Sequence, residues 1–345
     1  MKLDLIYTKR KYEHRLFFDL VYEWEDILMK ELNLKPLNYD EEWSRWGGYK
    51  LLKYRTMRWL TKRSKILRSC IIPQKNGLKF DMWTHGAPRL NAEHIIPWVI
   101  DFFMEEKDFV GLNENYRQYP VVFISSNEVF NLLKTSVVVK DVNIRHVALS
   151  ISDIYKINKN TKFAKEYDVV LLGRQNPVLL KYFRQYVSTH PQVSYVYRKL
   201  DDSHYGEEKL YHYYSVCNGV ESFIGDITER EQFISLTRKG RIGLYATPDI
   251  DTNHERAHGY NQVTPRFLEF IASGAHVIAR YVPNPDTDYY RLQDFSKPIE
   301  TYEQFEEAMD YALTHEVDMA KYASYLALHY TSVRAKEIKQ IMSEL

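Results

Sequence analysis

The chain has few cysteines and no long apolar run, and each absence narrows what it can be. Cys70 and Cys217 are the two cysteines among 345 residues, too few for a disulfide framework or a metal-ligand pattern. No uninterrupted apolar run reaches the roughly 20 residues that span a bilayer. The first residues lack a signal-peptide core, because charges interrupt their apolar positions. The sequence therefore predicts a protein of a reducing compartment, and we expect it in the cytoplasm.

Acidic residues are absent between Trp43 and Phe80, although the chain as a whole is almost neutral at +1. We name residues 45–68 the basic segment. Its basic residues are Arg45, Lys50, Lys53, Arg55, Arg58, Lys62, Arg63, Lys65 and Arg68. Because aliphatic and aromatic residues are interleaved with these charges, the basic segment could lie on an anionic membrane surface, and it could equally be a solvated face. Nucleic-acid binding depends on this segment alone, since the overall charge gives it no support.

Strands and helices alternate in the second half of the chain. Short apolar runs typical of buried strands are residues 166–174, 193–199, 241–248 and 275–281. Thr228 with Glu231 predicts a capping box that opens a helix ending at Gly240, and Thr301 with Gln304 predicts another. Short, glycine-stopped connections between such elements are typical of parallel βαβ units, so this half predicts a Rossmann-like domain.

The first half shows a weaker pattern of the same kind. Strand-like runs are residues 2–8, 80–83, 119–126 and 145–150, and helical patterns cover residues 91–106 and 127–134. The polar segment Lys156–Lys165 predicts a linker. We therefore expect two α/β domains, one over 1–155 and one over 156–330. An amphipathic helix over 331–345 is expected to pack back on the first domain.

The stretch "NQVTPRFLEFIASGAHVIARY", residues 261–281, combines a capped helix, a glycine stop and a buried strand. Thr264 suits the N-cap, and Pro265 suits the first helical position. The free N–H groups of that turn, with Arg266 beside them, predict an anion site. Glu269 lies a turn and a half beyond the helix start. It could be a solvated surface glutamate, or a carboxylate that accepts from both hydroxyls of a ribose.

This stretch resembles the donor-site motif of GT-B glycosyltransferases, in the form TPR-x-x-E-x-x-A-x-G found in bacterial members. The runs "YDVVLLGR" and "GRIGLYATP" resemble the first strand of their C-terminal domain and the strand before the motif. The similarity is specific over residues 240–281 and extends over 167–313. It implies an α/β fold with two Rossmann-like domains whose parallel sheets face a central cleft. It also implies a nucleotide-diphosphate sugar, such as a UDP-sugar, bound by the second domain.

The resemblance assigns roles to individual residues. Glu269 matches the glutamate that binds the donor ribose, and Thr264, Pro265 and Arg266 match the diphosphate-binding helix start. Gly173 and Arg174 match the glycine turn beside the phosphates. Retaining relatives carry a glutamate where this chain has Asn261, so Asn261 or Gln262 is the candidate for binding the sugar instead. His258 lies in the preceding loop, where it could contact the donor or be solvated.

The catalytic residues depend on the stereochemistry, which the sequence leaves open between inverting and retaining. An inverting transfer needs a general base from the first domain, and the candidates are His85 first and Asp81 second. Asp81 could instead only cap a helix. We expect no cofactor and no metal, because the Asp-x-Asp spacing of Asp249 and Asp251 falls in a polar loop on the donor side.

These features predict an enzyme that transfers a sugar to a hydroxyl of a glycan or lipid-linked glycan, in bacterial surface polysaccharide or glycoconjugate synthesis. The basic segment adds the expectation of a peripheral position on the inner face of the plasma membrane. Two alternatives use the same contacts. One is a nucleotide-sugar-binding protein without turnover, and the other is an epimerase with the same fold.

Overall fold

The computed structural model describes residues 1–8, 16–38, 77–83, 92–200, 211–251 and 258–345. The basic segment and His85 lie outside these ranges. The chain divides into two compact units. Unit 1 comprises Met1–Tyr12, Val21–Ala148 and Arg334–Leu345, and unit 2 comprises Glu13–Leu20 and Leu149–Val333.

Unit 1 contains a parallel sheet. Its strands are β1 (Leu3–Thr8), β2 (Lys35–Asn38), β3 (Leu78–Trp83), β4 (Ile95–Val99), β5 (Val122–Ile124) and β6 (Ile144–His146). They lie in the order β2-β1-β3-β4-β5-β6, and all neighbours are parallel. Within the described residues, the α-helices between them in the chain are α1 (Leu16–Leu32), α2 (Phe109–Tyr116) and α3 (Asn127–Thr135). Strands β4 and β5 are buried along their whole length, as expected for a parallel sheet covered on both faces.

The helix predicted over residues 91–106 is wrong, because Ile95–Val99 forms strand β4. A fully buried strand is apolar at every position, so its sequence cannot be distinguished from a buried helix by periodicity. Pro97 also argues against a central strand, since it has no N–H to donate. The register explains why it fits. Pro97 lies opposite Asp81 on β3, but pairing of β4 with β5 begins only at Trp98.

Unit 2 contains a mixed sheet. Its strands are β7 (Tyr167–Leu171), β8 (Tyr195–Leu200), β9 (Tyr211–Cys217), β10 (Val220–Asp226), β11 (Gly240–Ala246) and β12 (His276–Arg280). The order is β10-β9-β8-β7-β11-β12. Strands β8, β7, β11 and β12 are parallel, whereas β9 and β10 extend the sheet as an antiparallel hairpin. Asn218 and Gly219 turn this hairpin with positive φ values of 50° and 74°, as a tight two-residue connection requires.

The helices of unit 2 alternate with its parallel strands. They are α4 (Pro177–Thr189), α5 (Arg230–Lys239), α6 (Pro265–Ala272), α7 (Pro285–Tyr289), α8 (Tyr302–Thr314) and α9 (Met319–Leu326), followed by α10 (Thr331–Glu344), which ends in unit 1. The capping box of Thr301 and Gln304 is confirmed. The box predicted at Thr228 is wrong by one residue, since Glu229 and Gln232 form it instead. The predicted α/β class with parallel sheets is confirmed.

Helix α6 is buried on every side, which fixes the position of its first residues. Phe267, Leu268, Phe270 and Ile271 are fully buried. The helix lies so close to β11 that a Cβ atom on Gly243 would be 2.4 Å from ring atoms of Phe270. A glycine is therefore required at position 243 for α6 to approach the sheet.

A single lysine connects the carboxyl ends of α5 and α6. The Nζ atom of Lys165 donates to the carbonyl oxygens of Arg238 and Gly240 at 3.1 and 2.8 Å, where α5 ends. It also donates to the carbonyl oxygen of Ser273, the C-cap of α6, at 2.8 Å. These carbonyls are among the groups that a helix leaves without internal partners, so one side chain satisfies the ends of both helices.

Candidate functional site

A cavity of about 430 Å³ lies in unit 2 at the carboxyl ends of β7 and β11. The loop after β7 lines it from Leu172 to Asn176, and β11 lines it with the residues that follow, as far as Thr247 and Pro248. The start of α6 also lines it. The other described lining residues are Leu20 of α1, Arg198 of β8, Tyr213 of β9, Arg230 and Phe233 of α5, and Ile250. Crevices outside the carboxyl ends of parallel strands are where open α/β sheets bind ligands.

Two helix N-termini border this cavity. The side chain of Asn176 caps α4 by accepting from the N–H groups of Val178 and Leu179, each at 3.0 Å. Thr264 is the N-cap of α6, and its own N–H donates to the hydroxyl of Tyr245 at 3.0 Å. Within the described residues the Thr264 side chain makes no capping hydrogen bond. Both helices therefore direct the positive ends of their dipoles at the same cavity.

The charged lining residues are strongly biased to positive charge. Four guanidinium groups line the described part of the cavity, those of Arg174, Arg198, Arg230 and Arg266, together with the one carboxylate of Glu269. Guanidinium groups bind phosphate and carboxylate with paired hydrogen bonds. An excess of such groups beside two helix starts is the electrostatic arrangement of an anion-binding site.

The guanidinium of Arg266 is held from several sides. It lies over the ring of Phe233, with its central carbon 4.3 Å from the ring centroid. A Cβ atom on Gly173 would lie 2.9 Å from Nη2 of Arg266, and Gly173 has a φ of +77°. The glycine therefore provides both the backbone turn after β7 and the space for the arginine. Burial lowers the pKa of Arg266 and Glu269 opposes that shift, while the group stays protonated as arginines do.

Glu269 lies between two of the arginines and is only 3% exposed. Its Oε1 atom accepts from Nη2 of Arg230 at 2.5 Å, and its Oε2 atom lies 3.1 Å from Nη1 of Arg266. The second contact has the distance of an ion pair but not the angles of a hydrogen bond, since neither atom counts a hydrogen-bond partner among the described residues. Burial raises the pKa of Glu269, but the two guanidinium groups outweigh burial and hold that pKa below its ordinary value.

The structure places six of the predicted donor residues in the cavity lining, namely Gly173, Arg174, Thr264, Pro265, Arg266 and Glu269. His258, Asn261 and Gln262 do not belong to the described lining. His258 is exposed in a left-handed turn. The side chain of Asn261 accepts from the hydroxyl of Thr247 at 3.0 Å and donates to the carbonyl of Gly259 at 3.0 Å. Asn261 thus fastens its loop to the residue after β11.

The two candidate general bases belong to the first half of the chain, and one of them is described. Asp81 lies inside β3, two residues before the strand ends, and it is fully buried. His85 lies outside the described residues. A general base must reach the proton that it removes, and no described contact bears on that condition, so both assignments stay predictions.

Several lining residues were not predicted from the sequence. Arg198 and Tyr213 lie opposite each other on β8 and β9 and face the cavity. Arg230 is the first residue of α5, and Phe233 lies one turn later on the same helix. Arg198 lies on the same side of its strand as Val196, which is fully buried, but the run VSYVYRK does not alternate and so did not indicate this side. An arginine on the buried side of a strand indicates a site or a buried partner.

The Asp-x-Asp pair is occupied by contacts within the protein. Both carboxylate oxygens of Asp251 bind the guanidinium of Arg280, at 2.5 and 2.7 Å, and the pair lowers the pKa of Asp251. One oxygen of Asp249 accepts from the N–H of Gly259 at 2.7 Å. In the described ranges, no three His, Cys, Asp or Glu side chains cluster as a metal site would need. Those ranges also contain no helix long and apolar enough to cross a membrane.

Comparison with known proteins gives a likeness of fold. No family model matches the sequence, and no curated protein matches it. A glycosyltransferase from Rickettsia africae ESF-5 is structurally similar with a TM-score of 0.52 at 10% identity, covering 99% of this chain and 98% of that one. At a TM-score of 0.48 and 10% identity, 85% of the chain matches a GtfA/B complex structure, of whose chain it spans 60%. UDP-GlcNAc 2-epimerase from Methanocaldococcus jannaschii gives a TM-score of 0.47 at 11% identity, with full coverage of both chains.

The likeness to the Rickettsia glycosyltransferase covers nearly the whole of both chains. Together with the two α/β units and their largely parallel sheets, it makes the fold GT-B-like. At 10% identity this likeness concerns the fold alone, and function must be argued from the cavity and its side chains.

Proposed function

We propose that the chain is a glycosyltransferase whose donor is a nucleoside diphosphate sugar bound in the cavity of unit 2. One observation carries the proposal. At the carboxyl ends of β7 and β11, two helix N-termini and four guanidinium groups surround a cavity whose described lining has one carboxylate. A diphosphate is the anion that suits this charge excess, and the volume of about 430 Å³ lies in the range of small-molecule sites.

The same groups suit the chemistry of glycosyl transfer. When the bond between the sugar and the diphosphate breaks, negative charge grows on the departing phosphate. Fixed guanidinium groups and helix dipoles stabilise charge that develops at a defined place. Arg266 is already oriented by Gly173 and Phe233, so little reorganisation accompanies the reaction. In this proposal the arginines and helix starts take the role that a bound cation has in other transferases.

For the acceptor, the resemblance implies a hydroxyl of a glycan or lipid-linked glycan, bound by the first domain, with bacterial surface polysaccharide as the setting. Asp81 and His85 stay the candidate bases for an inverting transfer. A nucleoside diphosphate sugar is a product of activation by a nucleotidyl transfer, so the donor would come from such a reaction.

Binding tests the donor site directly. We expect calorimetry to rank one nucleoside diphosphate of a panel above its monophosphate, and the monophosphate above the nucleoside, because the phosphates provide most of the contacts. Arg266→Lys should lower the affinity for the diphosphate by about tenfold, since lysine cannot form the paired hydrogen bonds. Arg184→Lys, on the exposed face of α4, is the matched control. An equal affinity for nucleoside and diphosphate would contradict the proposal.

Turnover separates the proposal from its alternatives. We expect release of the nucleoside diphosphate from one sugar donor of a panel, faster when an acceptor hydroxyl is present. Epimerisation or label exchange without an acceptor would identify an epimerase. Tight binding of a nucleoside diphosphate sugar, with no release in the presence of glycan acceptors, would identify a binding protein.

A further inference from the structure

Glu269 is the one carboxylate in the described lining of a cavity rich in arginine. Such an acid has two possible uses. It can present its oxygens to the hydroxyls of a bound sugar, or it can hold the arginines in place. The two uses compete, because each carboxylate oxygen that binds a guanidinium offers less to a ligand.

Each carboxylate oxygen of Glu269 contacts a different arginine. Oε1 is 2.5 Å from Nη2 of Arg230, and Oε2 is 3.1 Å from Nη1 of Arg266. The carboxylate is ionised, since the guanidinium groups lower its pKa against the effect of burial. With 3% of its surface exposed, Glu269 presents almost nothing of itself to a ligand in the cavity.

The two arginines come from different helices and are more exposed than the acid between them. Side-chain exposure is 11% for Arg230 and 26% for Arg266, against 3% for Glu269. Glu269 is therefore less accessible than either guanidinium group that it contacts. It joins the start of α5 to the second residue of α6, so one carboxylate sets the distance between two cations.

Two guanidinium groups this close would repel each other without an anion between them, and each lowers the pKa of acids nearby. The ring of Phe233 supports both, with its centroid 4.3 Å from the central carbon of Arg266 and 5.9 Å from that of Arg230. The ring fixes one side of the pair and Glu269 fixes the back. Both arginines also line the cavity.

We infer that Glu269 is a positioning residue, which orients Arg230 and Arg266 toward a diphosphate and does not bind the ribose. This assignment rests on the proposed function and differs from the role that the resemblance implies. Glu269 contributes to affinity through the arginines alone. Its effect must therefore be the same for ligands with and without ribose hydroxyls.

A double-mutant cycle between Glu269 and the ribose hydroxyls tests this inference. The ligands are inorganic pyrophosphate, the nucleoside diphosphate of a panel that binds most tightly, and its 2′,3′-dideoxy analogue. The proteins are wild type, Glu269→Gln and Glu269→Asp, each compared only after circular dichroism shows that it is folded. Glu269→Asp keeps the charge and provides a second variant if the neutral one does not fold.

We expect Glu269→Gln to lower the affinity for pyrophosphate by about tenfold, and Glu269→Asp to lower it by less. The affinity ratio between the ribose and dideoxy ligands should stay within about fivefold of the wild-type ratio in either variant. Glu337→Gln is the matched control, because Glu337 also binds a buried guanidinium, that of Arg334 at 2.7 Å, and lies in the part of α10 that belongs to unit 1. It should leave the affinity for pyrophosphate unchanged.

A change of that ratio by more than about fivefold overturns the inference, because it shows coupling between Glu269 and the ribose. Unchanged pyrophosphate affinity in both Glu269 variants overturns it as well. Wild-type protein that binds neither pyrophosphate nor any nucleoside diphosphate contradicts the proposed function, and this inference falls with it. Tight binding of a diphosphate together with strong coupling between Glu269 and the ribose hydroxyls contradicts the inference and leaves the proposed function standing.

Discussion

The side chain of Arg266 occupies the space that a Cβ atom on Gly173 would need. The distance from such an atom to Nη2 would be 2.9 Å. The loop after β7 and the start of α6 are thus fitted to each other at one glycine. Because both elements border the cavity, a change at either one alters how the arginine is presented.

Gly173→Ala tests this fit. Alanine at a φ of +77° costs roughly 1–2 kcal/mol in backbone strain, and its methyl group would displace Arg266. We expect a loss of diphosphate affinity of about tenfold, measured by calorimetry. Gly219→Ala is the matched control, since Gly219 has a φ of +74° with no atom within 4 Å of the added Cβ. Equal affinities in the two variants would contradict the proposed fit.

Gly243→Ala tests the close packing of α6 on β11. The added Cβ would lie 2.4 Å from ring atoms of Phe270, which backbone movement must relieve. We expect the free energy of unfolding to fall by about 1–3 kcal/mol in urea denaturation. Phe270→Leu in the same chain should recover part of this loss. Gly111→Ala, in helix α2 with open space around it, should instead stabilise by about 0.5–1 kcal/mol.

His146 makes the stability of unit 1 dependent on pH. Burial lowers the pKa of His146 to about 4 from 6.5, the positive charge of Arg334 adds to that shift, and a hydrogen bond to the carbonyl of Ser125 opposes it. The unfolded chain therefore takes up this proton at a higher pH than the folded one. The stability that the neutral His146 contributes is fully present above pH 6.5. It is lost as the pH falls toward 4, by at most about 3 kcal/mol.

His146→Asn should remove this dependence. Urea denaturation at pH 7.0, 5.5 and 4.5 measures how the free energy of unfolding changes with pH in both proteins. The wild type should lose more of this free energy across that window. Parallel slopes in the wild type and the variant would show that His146 does not titrate on unfolding.

The basic segment gives a prediction from the sequence alone, since it lies outside the described residues. We expect the protein to co-sediment with anionic phosphatidylglycerol vesicles at low salt and to be released as salt screens the charges. Neutral phosphatidylcholine vesicles are the control. A triple change of Lys50, Lys53 and Lys62 to Glu should abolish the association. If the wild-type protein does not co-sediment with anionic vesicles at low salt, the membrane hypothesis is wrong.

The parallel core of unit 2 could be predicted because local signals and tertiary structure agree there. Strand β7 and helix α6 are bounded by a glycine turn and a capped start that the sequence displays directly. The hairpin of β9 and β10 was not predicted. Strand β10 lies at the sheet edge with nearly all of its residues exposed, so it carries no buried face to produce an alternating pattern.

The site was predicted only in part, for a physical reason. Thr264 and Pro265 follow from capping rules that act within one turn. The partner of Glu269 does not, because Arg230 lies 39 residues away and reaches it only through the packing of α5 beside α6. One signal was available. Every residue around Glu269 in "FLEFIA" is apolar, which indicates a helix buried on all sides and therefore an acid with a buried cation.

Lys165 lies at the opposite ends of the two helices whose first turns carry Arg230 and Arg266. Its three hydrogen bonds hold the carboxyl ends of α5 and α6 to one nitrogen atom. Helix α6 is eight residues long, which is about 12 Å at 1.5 Å per residue. A shift at the carboxyl end of α6 would be carried along the helix to the guanidinium group of Arg266 at its start. We therefore expect a substitution of Lys165, which does not belong to the described lining of the cavity, to change the spacing of the two guanidinium groups from a distance.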